Sequence, residues 1–365
     1  MAAQYLQRYR ERGDVGDVLR AEAAAQRSLR AQPDGNIPAL GELAAAQLTL
    51  HRFRDALATT RRARALAPRD ASLAMGEASL DMEVGDYDAA RTLLTRFGDG
   101  RTDASETVAS RFAEMTGDLS RARALLSGAA ARADATYGLP NERRAWFHVR
   151  LGELAFEAGD GARALDEEHI ALQRFPDDVQ ALTDAARFSA AGSRWNDALA
   201  YARRAVARTP SPENLGLLAD AQERLGDAES AAATRDEILA VERVGNTQHL
   251  VDRLLALEYA DHGVRAADAY GIARRELAVR DDVFAEDTLA WAAARSRHWD
   301  VARAAARRAT AWNTGDPRIW YHAGVIAAHD GDRSAAASDF RHALALNANF
   351  QPGFADDARA RLARL

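Results

Sequence analysis

The sequence predicts an all-α solenoid of about ten helix-turn-helix units with a C-terminal capping helix, and three observations predict it. An alanine recurs along nearly the whole chain, at Ala21, Ala56, Ala90, Ala122, Ala164, Ala198, Ala231, Ala269, Ala302 and Ala336. The steps are 35, 34, 32, 42, 34, 33, 38, 33 and 34 residues, and a period near 34 means small helical units stacked in a row rather than one globular core. Eight of the ten carry a second small residue twelve positions earlier. Between the two members lies a short polar turn, such as Gly85-Asp86, Gly117-Asp118, Gly159-Asp160, Gly226-Asp227 or Gly331-Asp332. There glycine ends one helix and aspartate caps the next, so the two helices run antiparallel.

The units follow in order. The first has Tyr9 where a small residue is expected, a latitude of terminal repeats, and Pro33 stops its second helix. The second pairs Ala44 with Ala56 and closes at Pro68, and the third pairs Ala78 with Ala90. In the fourth, Ser110 pairs with Ala122, and the long step that follows is carried by the stretch 127–144. A boundary between two sub-arrays is placed near 127–142. The fifth pairs Gly152 with Ala164 and closes at Pro176, and the sixth pairs Ala186 with Ala198 and closes at Pro210. The seventh pairs Ala219 with Ala231, whereas the eighth has Leu257 where a small residue is expected before Ala269. Ala290 with Ala302 and Gly324 with Ala336 complete the ninth and tenth. The array thus covers 1–350, and 351–365 is an amphipathic helix that covers its last face.

Composition narrows the function. At 365 residues the chain exceeds what one compact core usually holds, a limit a solenoid escapes because each unit buries its apolar face only on its neighbours. No stretch approaches the eighteen or so apolar residues a membrane span needs, so membrane insertion is not expected. The first residues, MAAQYLQRYRERGD, carry charges where a secretory signal places its apolar segment. The expected compartment is therefore the cytoplasm by default, with the mature part of an exported protein as the other option. There is no cysteine and no lysine, which removes disulfides, thiolate zinc sites, Schiff-base chemistry and lysine-type phosphate loops. A formal charge of −6 gives no field that would draw the chain onto nucleic acid.

Residues, spacing and turns together resemble the tetratricopeptide repeat family. The last unit carries the resemblance best, with Trp320, Ala323 and Gly324 in its first helix and Ala336, Phe340 and Ala343 in its second. The unit from Ala145 to Pro176 follows with Leu151-Gly152, Ala164 and Ala171. The resemblance implies a right-handed superhelix whose first helices line a concave groove. Transferring the family's groove positions gives Trp146, Val149, Glu153 and Phe156 in the fifth unit. It gives Phe284, Asp287, Trp291 and Arg295 in the ninth, and Arg318, Tyr321, Val325 and His329 in the tenth. Aromatic and arginine side chains dominate binding hot spots, so the two C-terminal units are the expected partner surface. The carboxylate-gripping Lys and Asn of some family members are not matched, since those positions hold Gly41 and Ala45, Met75 and Ser79, and Thr183 and Arg187.

No chemistry competes with this reading. His322 and His329 lie two turns apart on one helix, about 10 Å, too far to share one zinc. The Asp330-Gly331-Asp332 turn lacks the spaced ligands and closing Glu of a calcium loop. No nucleophile elbow, HExxH or phosphate loop occurs, and no cofactor is expected. The expected function is a non-catalytic scaffold or adaptor that holds an extended peptide or partner helix in its groove. The alternative is an assembly subunit that joins a larger complex through its convex face or its ends.

Overall fold

The computed structural model describes residues 1–98, 102–247 and 253–365, and these form twenty-one α-helices and no strand. They are α1 (Ala2–Arg12), α2 (Val15–Ala31), α3 (Ile37–Thr49), α4 (Phe53–Leu66), α5 (Ala71–Glu83), α6 (Tyr87–Phe97), α7 (Asp103–Met115), α8 (Leu119–Ala135), α9 (Asn141–Glu157), α10 (Gly161–Arg174) and α11 (Val179–Ala191). There follow α12 (Trp195–Arg208), α13 (Pro212–Arg224), α14 (Ala228–Thr247), α15 (Arg253–His262), α16 (Ala266–Val279), α17 (Val283–Arg295), α18 (Trp299–Thr310), α19 (Pro317–His329), α20 (Arg333–Leu346) and α21 (Phe354–Leu362). Among the described residues, successive helices pack in pairs: α1 with α2, α3 with α4, α5 with α6, α9 with α10, α11 with α12, α13 with α14, α17 with α18 and α19 with α20.

The local reasons match the sequence pattern. All ten periodic alanines are 0–1% exposed. Their partners are buried too, and a Cβ built on Gly324 would strike the Phe340 ring of the facing helix. One built on Gly152 would lie 3.1 Å from the Ala164 carbonyl oxygen. The turn glycines Gly85, Gly117, Gly159, Gly226 and Gly331 all have φ between 78° and 87°, the left-handed region glycine enters without strain. The aspartates that follow them accept from the backbone N–H three residues on, as Asp86 does from Ala89. Three turns lack the glycine and place His51, Ser193 and Arg297 in the same region at φ of 56°, 58° and 64°. Before Pro33, Pro68, Pro176 and Pro210 the chain turns extended, as at Thr209 with φ −147° and ψ 103°, because a proline disfavours helical geometry in the preceding residue. The residues added in the long steps lengthen helices: α8 has 17 residues and α14 has 20, against 14 in α10 and α12.

The chain divides into two compact units, Met1–Phe112 with Val279–Asp282, and Ala113–Ala278 with Val283–Leu365. The stretch 127–142, where a sub-array boundary is expected, comprises the end of α8, its connection to α9 and the first residues of α9, inside the second unit. In the first unit, Leu6, Val18, Ala21 and Ala46 form one apolar cluster and Ala56, Leu57 and Leu80 another. Gly85 lies against the Asp281 carbonyl so closely that a side chain there would collide with it. The Asp281 N–H donates to the Glu83 carbonyl at 3.1 Å, and Arg280 joins Glu83 at 2.9 Å and Asp282 at 2.6 Å.

In the second unit, distant segments meet in the same manner. Gly117 abuts the Asn313 carbonyl, and the Gly315 N–H donates to the Glu114 carbonyl at 3.0 Å. One repeat pair further on, Asn347 donates from Nδ2 to the Phe156 carbonyl at 2.6 Å, and Gly159 lies against the Leu346 carbonyl. The largest apolar cluster of this unit runs from α13 to α21 and includes Trp291, Tyr321, Phe340 and Phe350. No helix among the described residues is long and apolar enough to cross a membrane.

Candidate binding cavity

A cavity of about 560 Å³ opens inside the second unit. Its walls come mainly from the first helices of the sixth, seventh, eighth and tenth repeats, where residues three, four and seven apart share one face. From α13 come Glu213, Gly216, Leu217 and Asp220, and from α15 come Leu254, Leu257, Glu258 and Asp261. Arg187 of α11, Arg318 near the start of α19, and Phe350 to Phe354 between α20 and α21 complete the lining that concerns its chemistry. At the rim, the Arg224 guanidinium lies 5.2 Å over the Trp195 ring.

The charged side chains are unevenly matched. Arg187 donates from Nη2 to Asp184 Oδ1 at 2.6 Å, while its buried Nε has no partner among the described residues. Arg318 has Asp316 only at 3.6 Å. The side chains of both arginines are 27% exposed. Glu213, half-buried, makes no ion pair among the described residues, and burial first, then the nearby Asp184, pushes its carboxyl above the usual range against the pull of Arg187 and Arg318. Burial also pushes Glu258 up to about 7. Its carboxyl fills the niche that Gly216 leaves open, where any Cβ would collide with it. His262 meets Glu258 at 3.2 Å and Asp220 at 2.9 Å, and the hydrogen bond to Asp220 is the first cause that raises His262 to about 10.

The twelve side chains at the expected groove positions fall into separate places, with Val149 in one apolar cluster and Val325 packed against another. Trp291 is 3% exposed, donates from Nε1 to Asp261 Oδ1 at 2.8 Å and stacks on His322 at 4.3 Å. Asp287 accepts from His322 at 2.9 Å in the same buried group. Tyr321, also buried, donates to Asp357 of α21 at 2.8 Å and stacks on Phe354 at 4.7 Å. α21 therefore covers the face that Trp291 and Tyr321 share. Arg295 is exposed with its guanidinium 5.4 Å over Trp291, and Phe284 is half-buried beside Arg253. His329 stacks on Trp299 at the exposed end of α19. On α9, Trp146 is 40% exposed, Glu153 pairs with Arg150, and Phe156 is buried against Phe188 at 4.3 Å. Of the twelve, Arg318 is the one that lines the cavity.

Glu213, Asp220, Glu258 and His262 belong to the seventh and eighth units, which have no aromatic at the transferred groove positions and so attracted no attention in the sequence. One signal was available: Gly216 sits inside a helix, where glycine costs about 1 kcal/mol and needs a reason. That reason is the Glu258 carboxyl. Among the described residues no three histidine, aspartate or glutamate side chains converge as metal ligands.

No family model matches the chain, and no curated protein matches it. Among solved structures it is similar to the crystal structure of PilW, a widely conserved type IV pilus biogenesis factor, at 17% identity and a TM-score of 0.48, over 57% of this chain and 94% of that one.

Proposed function

We propose that this chain is a non-catalytic scaffold or adaptor that holds a segment of a protein partner, with the cavity of the second unit as the seat. The observation that carries this reading is the cavity itself. Its wall holds Arg187, Arg318 and Glu213 with hydrogen-bonding capacity left over, and such polar groups among apolar walls are the makings of a specific site. The helices that build it are braced by their neighbours, so the ordering cost of binding falls mainly on the partner. Arg318 is the expected groove residue that contributes directly. Trp291 and Tyr321 serve by holding Phe354 and α21 in place, Asp287 by holding His322 beside Trp291, and Trp146 offers a separate exposed contact.

Site-specific photo-crosslinking tests this. A photoreactive residue at Arg224, on the cavity rim, should capture the partner, and one at Leu19, exposed on α2, should not. Capture at Leu19 without capture at Arg224 would instead favour an assembly subunit that uses its outer surface.

A further inference from the structure

We infer that the cavity receives an arginine or lysine side chain of a partner peptide, with Glu213 and Glu258 holding the cation and Arg187 and Arg318 donating to the backbone carbonyl oxygens beside it. The inference deepens the peptide-holding reading above and rests on it. It starts from which lining groups already have their partners. Asp220 is held by His262 at 2.9 Å and Arg235 at 3.2 Å. Asp261 accepts from Trp291 at 2.8 Å and from Gln351 at 3.1 Å. Glu213 has no ion pair among the described residues. Glu258 meets one cation, His262, which it shares with Asp220. The wall thus holds two carboxylates that are under-compensated in a partly desolvated place, an arrangement that a cationic occupant relieves.

The donors give the second half. A guanidinium offers five N–H groups. Among the described residues Arg187 commits one to Asp184 and keeps a buried Nε without a partner, and Arg318 has no acceptor closer than Asp316 at 3.6 Å. A buried donor left unmade is costly, so acceptors are also called for. A metal ion or a simple polyamine supplies positive charge and no acceptor, and an acidic peptide supplies acceptors and aggravates Glu213 and Glu258. A basic side chain on an amide backbone supplies both. Its apolar stem has Leu217, Leu254 and the Trp195 ring to lie against.

The test uses the full chain and two randomised pentapeptide mixtures, one with arginine fixed at the centre and one with citrulline, which keeps the shape and removes the charge. Native mass spectrometry should retain the arginine mixture at least tenfold over the citrulline mixture, and tenfold excess spermidine should not displace it. Glu213→Gln, with an unchanged melting curve, should reduce retention of the arginine mixture at least tenfold and leave the citrulline mixture unaffected. Should that variant melt early, Glu258→Gln serves in its place. Equal retention of both mixtures would overturn the cationic occupant while leaving a peptide seat intact. Displacement by spermidine would overturn the role of the arginine donors. Retention of neither mixture would overturn the inference, and an absence of crosslinking at Arg224 as well would overturn the peptide seat with it.

Discussion

The indole of Trp291 donates to Asp261 Oδ1 at 2.8 Å, so that an aromatic placed by the repeat on a binding surface instead ties α17 to α15. Its ring is closed in by His322 and Phe354. Trp291→Ala is therefore expected to cost about 3 to 5 kcal/mol, the range for truncating a buried aromatic. Trp146→Ala, at an exposed position on α9, should stay within about 0.5 kcal/mol. Urea unfolding of the two variants side by side checks the contrast, and equal losses would mean that the two rings contribute alike to the core.

Close approach of paired helices should make the small positions intolerant of bulk. Gly324→Leu meets the Phe340 ring, and Ala198→Leu is placed at a site 1% exposed. Each is expected to destabilise by about 1 to 3 kcal/mol through overpacking. Denaturant midpoints unchanged from the native chain would show that the helices can separate at no cost.

Asn347→Ala removes the donor to the Phe156 carbonyl, a bond between positions 191 residues apart. Asn347 is buried, and leaving such an acceptor unmade costs about 1 to 3 kcal/mol. Amide exchange offers a local readout: protection should fall in α9 as well as in α20. A loss confined to α20 would break the link.

Stability should depend on pH through Glu258. Its folded-state pKa, about 7, lies above the ordinary glutamate value of 4.5, so the folded form holds its proton longer than the unfolded form does. Its contribution is complete below about pH 4.5 and is lost as pH rises through 7. His262, raised to about 10, acts in the same direction over its own window, from its ordinary 6.5 upward. Glu258→Gln should therefore gain on the native chain between pH 5 and pH 8, by about 2 to 3 kcal/mol in unfolding free energy. A gap that stays constant across that range would remove the charge on Glu258 as the cause.

The repeat was legible because it is a nearest-neighbour pattern. Ala56, Ala164 or Ala336 had to be small for two adjacent helices to touch, and Gly85 or Gly331 lets the chain reverse at positive φ without strain. His51, Ser193 and Arg297 make the same reversal without glycine, and so left no mark. Contacts between distant units were illegible for a deeper reason. A period near 34 residues says which unit follows which, and nothing in it says that Asn347 will meet Phe156 or that Gly315 will meet Glu114. The candidate site shared that fate. Arg318 was visible as a groove position, whereas Glu213 and Glu258 gain meaning only once α13, α15 and α19 stand around one space.

Those long-range bonds alter how the second unit should come apart. A stack whose members touch only their neighbours can fray from either end, losing one repeat at a time. Here the Gly315–Glu114 and Asn347–Phe156 bonds make an end segment a structural partner of α7 and α9. Melting is then expected to be a single concerted event, and folding to wait on the slow meeting of residues nearly two hundred positions apart. A repeat protein built this way trades the graded elasticity of an open stack for all-or-none behaviour.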